Sequence, residues 1–230
     1  MPKSEEFRVQ ILKKYNLLDV DINELFDDIV ILATEVCDKP FAMISFIDGD
    51  KQWVTSQVGS FPNKTPREKT FCAHTVNQTD VFEITNTLVD ERTKQNEWVV
   101  EAPNIRFYAG VPLVNSDKQI LGTLCVLDTK PNTLNKQQKT MLKLLAKDVV
   151  SQLELQRKNY ELSKLTNLYQ MITETNSDLI FAKDSDFKIL YANSAFLSLY
   201  PEETRNKVIG YTTLEEYSEE EAEAFLVQDK

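Results

Sequence analysis

The apolar residues of this chain recur with two different periods, and the points where one gives way to the other mark out its elements. Phe7, Ile11, Leu12, Tyr15 and Leu18 fall on one helical face, which predicts an amphipathic lead-in helix. Asp21-Ile22-Asn23-Glu24 has the form of a capping box. It opens a second helix with Leu25, Phe26, Ile29, Ala33 and Val36 as its core face and Lys39-Pro40 as its stop. The pattern then becomes strand-like. Phe41 to Ile47 and Lys51 to Val58 flank Asp48-Gly49-Asp50 as a hairpin. Gly59 to Thr70 is rich in Gly, Pro and polar residues and reads as a loop over the sheet, a candidate lid. A short strand is expected near Val81 to Ile84, before the polar stretch Asn86 to Asn96.

The densest apolar stretch is Ile105 to Val114 and Ile120 to Asp128, separated by the turn formers Asn115-Ser116-Asp117-Lys118-Gln119. This predicts an antiparallel hairpin, placed inside the sheet because each strand carries more apolar residues than an edge strand shelters from water. After the turn at Thr129 to Thr133, no Gly or Pro occurs between Asn135 and Pro201. Met141, Leu142, Leu145, Val149 and Leu153 form one helical stripe. Leu155, Leu162, Leu165, Tyr169 and Ile172 form a second, at near-heptad spacing. A helix of roughly 40 residues spans about 60 Å, more than one compact domain covers. Residues 135–176 therefore read as a connector whose second stripe is a seam for a partner helix, with packing on its own domain as the alternative. From Asp178 the period shortens again. Asp178 to Lys183 and Phe187 to Ala192 form a second hairpin, Asn193 caps a helix, and Ser218 to Val227 forms an acidic one. About 55 residues with two strands make a poor core, so this unit is expected to be incomplete or supported by a partner.

Composition narrows the function classes. A net charge of −10 and a pI near 4.8 argue against a nucleic-acid groove or an anionic membrane surface. The acidity is uneven, because Pro201 to Lys230 holds nine Asp and Glu against three Lys and Arg. Neither a signal peptide nor a run of the ~18 apolar residues that a membrane helix needs is present, so a cytoplasmic location is expected. Cys37, Cys72 and Cys125 are odd in number and irregularly spaced, which reads as free thiols.

Arg106 and Tyr108 fall on one face by strand alternation, and a guanidinium beside a phenol suits an anionic or aromatic small ligand. The alternative for Arg106 is an ion pair with Asp90 or Asp128. Trp53 either walls the same pocket or caps the core edge. His74 either faces the pocket as a hydrogen-bond donor or caps a local backbone turn. Cys72 and Cys125 read first as packed core residues. Zinc would need three or four ligands, and Cys72-Ala73-His74 lacks a second pair, so neither a metal nor a cofactor is expected.

Up to about residue 156 the sequence resembles a bacterial sensor-type GAF domain. The resemblance rests on Tyr15-Asn16-Leu17-Leu18-Asp19, Phe26-Asp27, Asp48 to Trp53, Phe71 to Thr75, Ile105 to Leu113 and Gly122 to Asp128, in family order. Asn176 to Asp184, Tyr191 to Phe196 and Val208-Ile209-Gly210 resemble the first half of a PAS domain, without the three strands that complete its sheet. The resemblance implies an α+β architecture: a GAF-type antiparallel sheet flanked by helices over 1–156, the connector helix, and a partial PAS-like α/β unit over 177–230. It implies a sensory module, not itself an enzyme over these residues, with an unknown small ligand and a downstream output domain, and the helix seam adds the expectation of a homodimer. That output would be a histidine kinase, a diguanylate cyclase or a cyclic-di-GMP phosphodiesterase. Methionine sulfoxide-reducing GAF proteins use pocket cysteines, which makes a thiol reductase built on Cys72 and Cys125 the alternative, although their motif is not matched. The bilin-attachment pattern of phytochrome-type GAF domains is not matched either.

Overall fold

The computed structural model describes residues 3–15 and 24–211. The Asn16 to Asp19 motif, Asp21 to Asn23 of the capping box and the acidic Ser218 to Val227 segment lie outside them. Two compact units are present, Met1–Asn159 and Tyr160–Lys230.

The first unit opens with helix α1, Lys3–Lys13. A 3-10 turn at Glu24–Phe26 leads into α2, Asp27–Cys37. Strands β1, Phe41–Ile47, and β2, Lys51–Val58, follow as the expected hairpin. Next come β3, Lys64–Pro66; α3, Cys72–Thr75; β4, Phe82–Ile84; and α4, Glu97–Val100. The unit ends with β5, Phe107–Val114, β6, Ile120–Asp128, and the start of α5, Lys136–Thr175. The strands form one antiparallel sheet in the order β3-β2-β1-β6-β5-β4. The β5–β6 hairpin is interior, as its composition required. The Gly59 to Thr70 stretch is not a free lid, because Lys64–Pro66 pairs with β2 as an edge strand.

Both faces of the sheet are covered, which is why β1, β5 and β6 are nearly continuous apolar runs rather than alternating ones. On one face Ile44, Phe46, Phe107, Leu113 and Leu124 pack with Phe26, Ile29 and Ala33 and with Leu142, Ala146, Val149 and Leu153 of α5. On the other Met43, Ile47, Phe71, Cys72, Val99, Tyr108, Cys125 and Leu127 form a second core. The helical faces differ in detail from the expected ones. Leu25 is exposed and Val36 only partly buried, while Val30 and Cys37 are buried. Met141 likewise turns outward, leaving the 4-3-4 spacing of Leu142, Ala146, Val149 and Leu153 as the inward stripe. A helix lying on a sheet buries only one such stripe, and neighbouring apolar positions fall outside it.

Polar contacts fasten the lead-in to this core. Tyr15 donates to Glu154 Oε1 at 2.8 Å and accepts from Asn115 Nδ2 at 3.1 Å, and the Arg157 guanidinium lies 5.1 Å from its ring centre. Arg8 is buried and donates to the carbonyls of Ile47 at 2.5 Å and Ile120 at 3.3 Å. Glu5 accepts from Arg8 at 2.7 and 2.9 Å and from Arg67. The Arg8 hydrogen bonds, with help from Arg67 and against burial, lower the Glu5 pKa from 4.5 to about 2. A folded-state pKa below the unfolded one contributes stability above the unfolded value, and that stability is lost as pH falls toward 2. Between pH 5 and pH 2 this carboxylate should cost the fold on the order of 1–2 kcal/mol, discounted for solvent screening. Urea midpoints at the two pH values should converge by that amount in Glu5→Gln; an unchanged acid dependence would remove Glu5 from the account.

The second unit continues α5 from Tyr160 and adds β7, Phe181–Lys183, paired with β8, Ile189–Ala192. Helices α6, Ser194–Leu197, and α7, Arg205–Val208, follow. Its core is small, comprising Ile189, Ala192, Phe196 and Val208 with Leu197 and Tyr200 against it. Asn193 caps α6 as expected, accepting from Phe196 N at 2.9 Å.

Candidate functional site

Six residues were expected at the site: Trp53, Cys72, His74, Arg106, Tyr108 and Cys125. Three of them converge. Cys72 begins the short α3, which lies against β5, β6 and β1, and Cys125 sits mid-β6 opposite Gly110 of β5. Their sulfurs are 3.8 Å apart and both residues are buried. The Tyr108 hydroxyl lies 3.5 Å from Cys72 Sγ and 2.7 Å from Thr75 Oγ1. Gly110 makes this possible: a Cβ there would lie 2.3 Å from the Tyr108 oxygen and 2.7 Å from Thr75 Oγ1.

The other three stand apart. Trp53 is paired with Phe46, whose ring belongs to the core under α2 and α5, so its indole points to the face opposite Tyr108 and beneath Lys64. The Arg106 guanidinium donates to the carbonyls of Val99 at 2.8 Å and Ile105 at 3.0 Å, which holds the end of α4 against the entry to β5. It pairs with neither acid: Asp90 takes Arg92, and Asp128 accepts from Lys130 N and Asn132 Nδ2. Strand β5 starts only at Phe107, so alternation did not govern residue 106. His74 is half-buried with its ring 6.1 Å from Phe82, and burial, with Arg92 nearby, lowers its pKa and keeps the imidazole neutral.

Three further members of the cluster are Ser45, Thr123 and Thr75. Ser45 Oγ and Thr123 Oγ1 are 3.1 Å apart and both residues are fully buried. Each is a lone hydroxyl inside an apolar strand, and such a residue has to find a buried partner. That signal was available in Phe41–Ile47 and Ile120–Asp128. Hydrogen bonds from Cys125, Thr123, Ser45 and Tyr108 favour the thiolate of Cys72, while burial and the neighbouring Cys72 push the Cys125 thiol well up. Burial, with both cysteines adding, also raises the Tyr108 phenol, which therefore stays a donor. The hydrogen bonding runs the same way, since Cys72 Sγ accepts from Tyr108 and Cys125 Sγ donates to the Met43 carbonyl at 3.7 Å.

Around this cluster the space over the sheet is filled by rings. Phe41, Phe61, Trp98, Phe71, Tyr108 and Phe82 follow one another with centroids 5.1 to 6.2 Å apart. A cavity of about 210 Å³ lies on the opposite face, lined among others by Val111, Pro112, Lys143, Ala146 and Lys147. Lys143 there is paired with Asp80 at 2.6 Å.

A six-stranded antiparallel sheet with helices on both faces defines a small α+β domain fold. The chain belongs to the GAF domain family, whose profile matches residues 21–153. It is 30% identical over 212 residues, 91% of its length, to a cyclic di-GMP phosphodiesterase of Pseudomonas aeruginosa strain PAO1, and it spans 36% of that relative. Among solved structures, the GAF domain of a phosphoenolpyruvate-protein phosphotransferase from Coxiella burnetii matches with a TM-score of 0.53 at 10% identity, covering 69% of this chain and 96% of that one. The blue-light-absorbing PixJ GAF domain of Thermosynechococcus elongatus matches with a TM-score of 0.51 at 14% identity, covering 65% and 93%. At these identities the two structures show the shared fold alone. No helix among the described residues is long and apolar enough to cross a membrane.

Proposed function

We propose that this chain is the sensory input segment of a longer cytoplasmic cyclic-di-GMP signalling protein. It works as a homodimer in which the GAF domain controls the pairing of α5, and α5 passes the change to the half-PAS unit and to an output domain beyond. The observation that carries the reading is the outer face of α5. Leu155, Leu162, Leu165, Tyr169 and Ile172 are 49 to 64% exposed on one continuous 40-residue helix. Met141 and Leu144 extend the same heptad positions toward the start of α5, interrupted by Asp148, Ser151 and Lys158. An apolar seam of this length, with polar breaks between its halves, suits a parallel helix pair whose register or rotation has two settings. The likeness to a cyclic di-GMP phosphodiesterase along most of this chain favours that class of output. Whatever small molecule the GAF domain takes acts by preferring one setting over the other.

The alternative is a thiol reductase built on Cys72 and Cys125, and the 3.8 Å sulfur separation favours it. Against it stands burial, because a substrate the size of methionine sulfoxide has to reach the attacking sulfur.

Replacing Leu162 and Leu165 with Lys puts four charges into the seam of a dimer. By the transfer cost of the buried leucines the pairing should weaken by roughly 3 kcal/mol or more, at least a hundredfold. Light scattering should then report a monomer with an intact sheet domain. A dimer that persists in the double variant would overturn the seam.

A further inference from the structure

We propose that Cys72 and Cys125 form an oxidant-sensitive modification site, at which a peroxide converts two buried thiols into a disulfide joining α3 to β6. The geometry is already close. The sulfurs are 3.8 Å apart, and a disulfide needs about 2.05 Å, so they must approach by roughly 1.8 Å. Cys125 is held in mid-sheet between Met43 of β1 and Gly110 of β5, so the approach falls to α3, a four-residue helix outside the sheet. A peroxide is little larger than water, so opening one helical turn admits it where a larger substrate would not enter.

The cluster divides the labour. Tyr108 donates to Cys72 Sγ at 3.5 Å, while the Cys125 thiol donates to the Met43 carbonyl at 3.7 Å, so the hydrogen bonding favours the anion on Cys72, which is hence the nucleophile. That thiolate attacks one peroxide oxygen, the O–O bond breaks, and the departing hydroxide takes a proton to leave as water. Cys72 is then a sulfenic acid. The Cys125 thiol gives up its proton and its sulfur attacks the sulfenic sulfur, forming the S–S bond and expelling the second oxygen as water. Two thiols and one peroxide become one disulfide and two waters. Cys37 is an internal reference, since burial pushes its thiol up to about 11 and it belongs to the core on the opposite face. The disulfide withdraws Cys72 Sγ from Tyr108, whose ring is the fifth in the series running from Phe41 through Trp98. Oxidation should therefore be visible in the aromatic core.

The test is to treat the full chain, folded and at neutral pH, with hydrogen peroxide and follow free thiols, intact mass and a peptide map. The expected result is loss of two of the three thiols, a mass lower by two hydrogens, a Cys72–Cys125 cross-link and full reversal by dithiothreitol. Cys125→Ser should instead accumulate one added oxygen on Cys72, and Cys72→Ser should lose thiols at least about tenfold more slowly. Three thiols retained at a peroxide concentration that fully oxidises the denatured chain would overturn the proposal. So would a cross-link to Cys37, or oxygen addition in the wild type without a cross-link. The wild-type readouts decide the matter even if a serine variant does not fold.

Discussion

Gly122→Ala should cost the sheet domain about 3 kcal/mol or more, at or above the upper end of ordinary overpacking. Gly122 lies opposite Phe46 of β1 and Leu113 of β5, in the middle of the sheet. A Cβ there would meet the Ser45 carbonyl oxygen at 2.0 Å and Phe46 Cα at 2.9 Å. Both obstacles are backbone, so no side-chain rotation relieves them. The strands must part, which opens the β1–β6 pair and loosens the packing on both faces at once. For a domain whose whole stability is about 5–15 kcal/mol, this is a large fraction. A thermal melt should fall by roughly 10 °C, taking 2–4 °C per kcal/mol for a chain of this size. A variant that melts within about 2 °C of wild type would show that the strands adjust cheaply there.

Asn193→Ala should have the largest effect in the second unit. Asn193 is fully buried and uses its whole side-chain amide. Its nitrogen donates to the carbonyls of Thr173 at 3.0 Å and Asp178 at 2.8 Å, and its oxygen accepts from the amides of Ile180 at 3.0 Å and Phe196 at 2.9 Å. One residue thus joins the end of α5, the entry to β7 and the start of α6. Glu174 supports the same joint, accepting from Ser194 and from Tyr191 at 3.1 Å. Truncation leaves four backbone groups to find water. At about 1 kcal/mol or more each, with part recovered by solvation, the loss should be on the order of 3 kcal/mol. The unit's small core has little to offset that. Amide exchange over 177–211 should accelerate at least a hundredfold while the amides of β1 and β6 keep their protection. Asn193→Asp, which keeps the acceptor and loses the donor, should fall between. Unchanged exchange over 177–211 in the alanine variant would mean that the joint is held elsewhere.

Elements that depend on neighbours in sequence are legible in the sequence alone. The β5–β6 hairpin, the β1–β2 hairpin, the long helix and the Asn193 cap all rest on period, turn residues or capping, and each lies where those signals put it. The features that depart from the sequence pattern depend on partners distant in the chain. Lys64–Pro66 has no strand signature of its own, and becomes a strand only because β2 offers a free edge. Met141 is as apolar as Leu142, and only the direction of the sheet decides which of them is buried. Arg106 follows the alternation of β5 on paper, yet its guanidinium is claimed by the carbonyls of Val99 and Ile105. Trp53 and Tyr108 are both aromatic residues in strands, and the register with Phe46 alone puts Trp53 on the other face.

By itself, then, the sequence determined the two hairpins of the sheet, with β5–β6 inside it, the continuous helix and its outward apolar stripe from Leu155 to Ile172. These follow from periodicity, a property each segment carries alone. The tertiary structure decided that Cys72 and Cys125, fifty-three residues apart, lie sulfur to sulfur beneath Tyr108. It also decided that the expected guanidinium is elsewhere. The physical reason is that a site is made of side chains from separate strands, and their meeting depends on register and face. A one-residue change in either sends a side chain to the other side of the sheet.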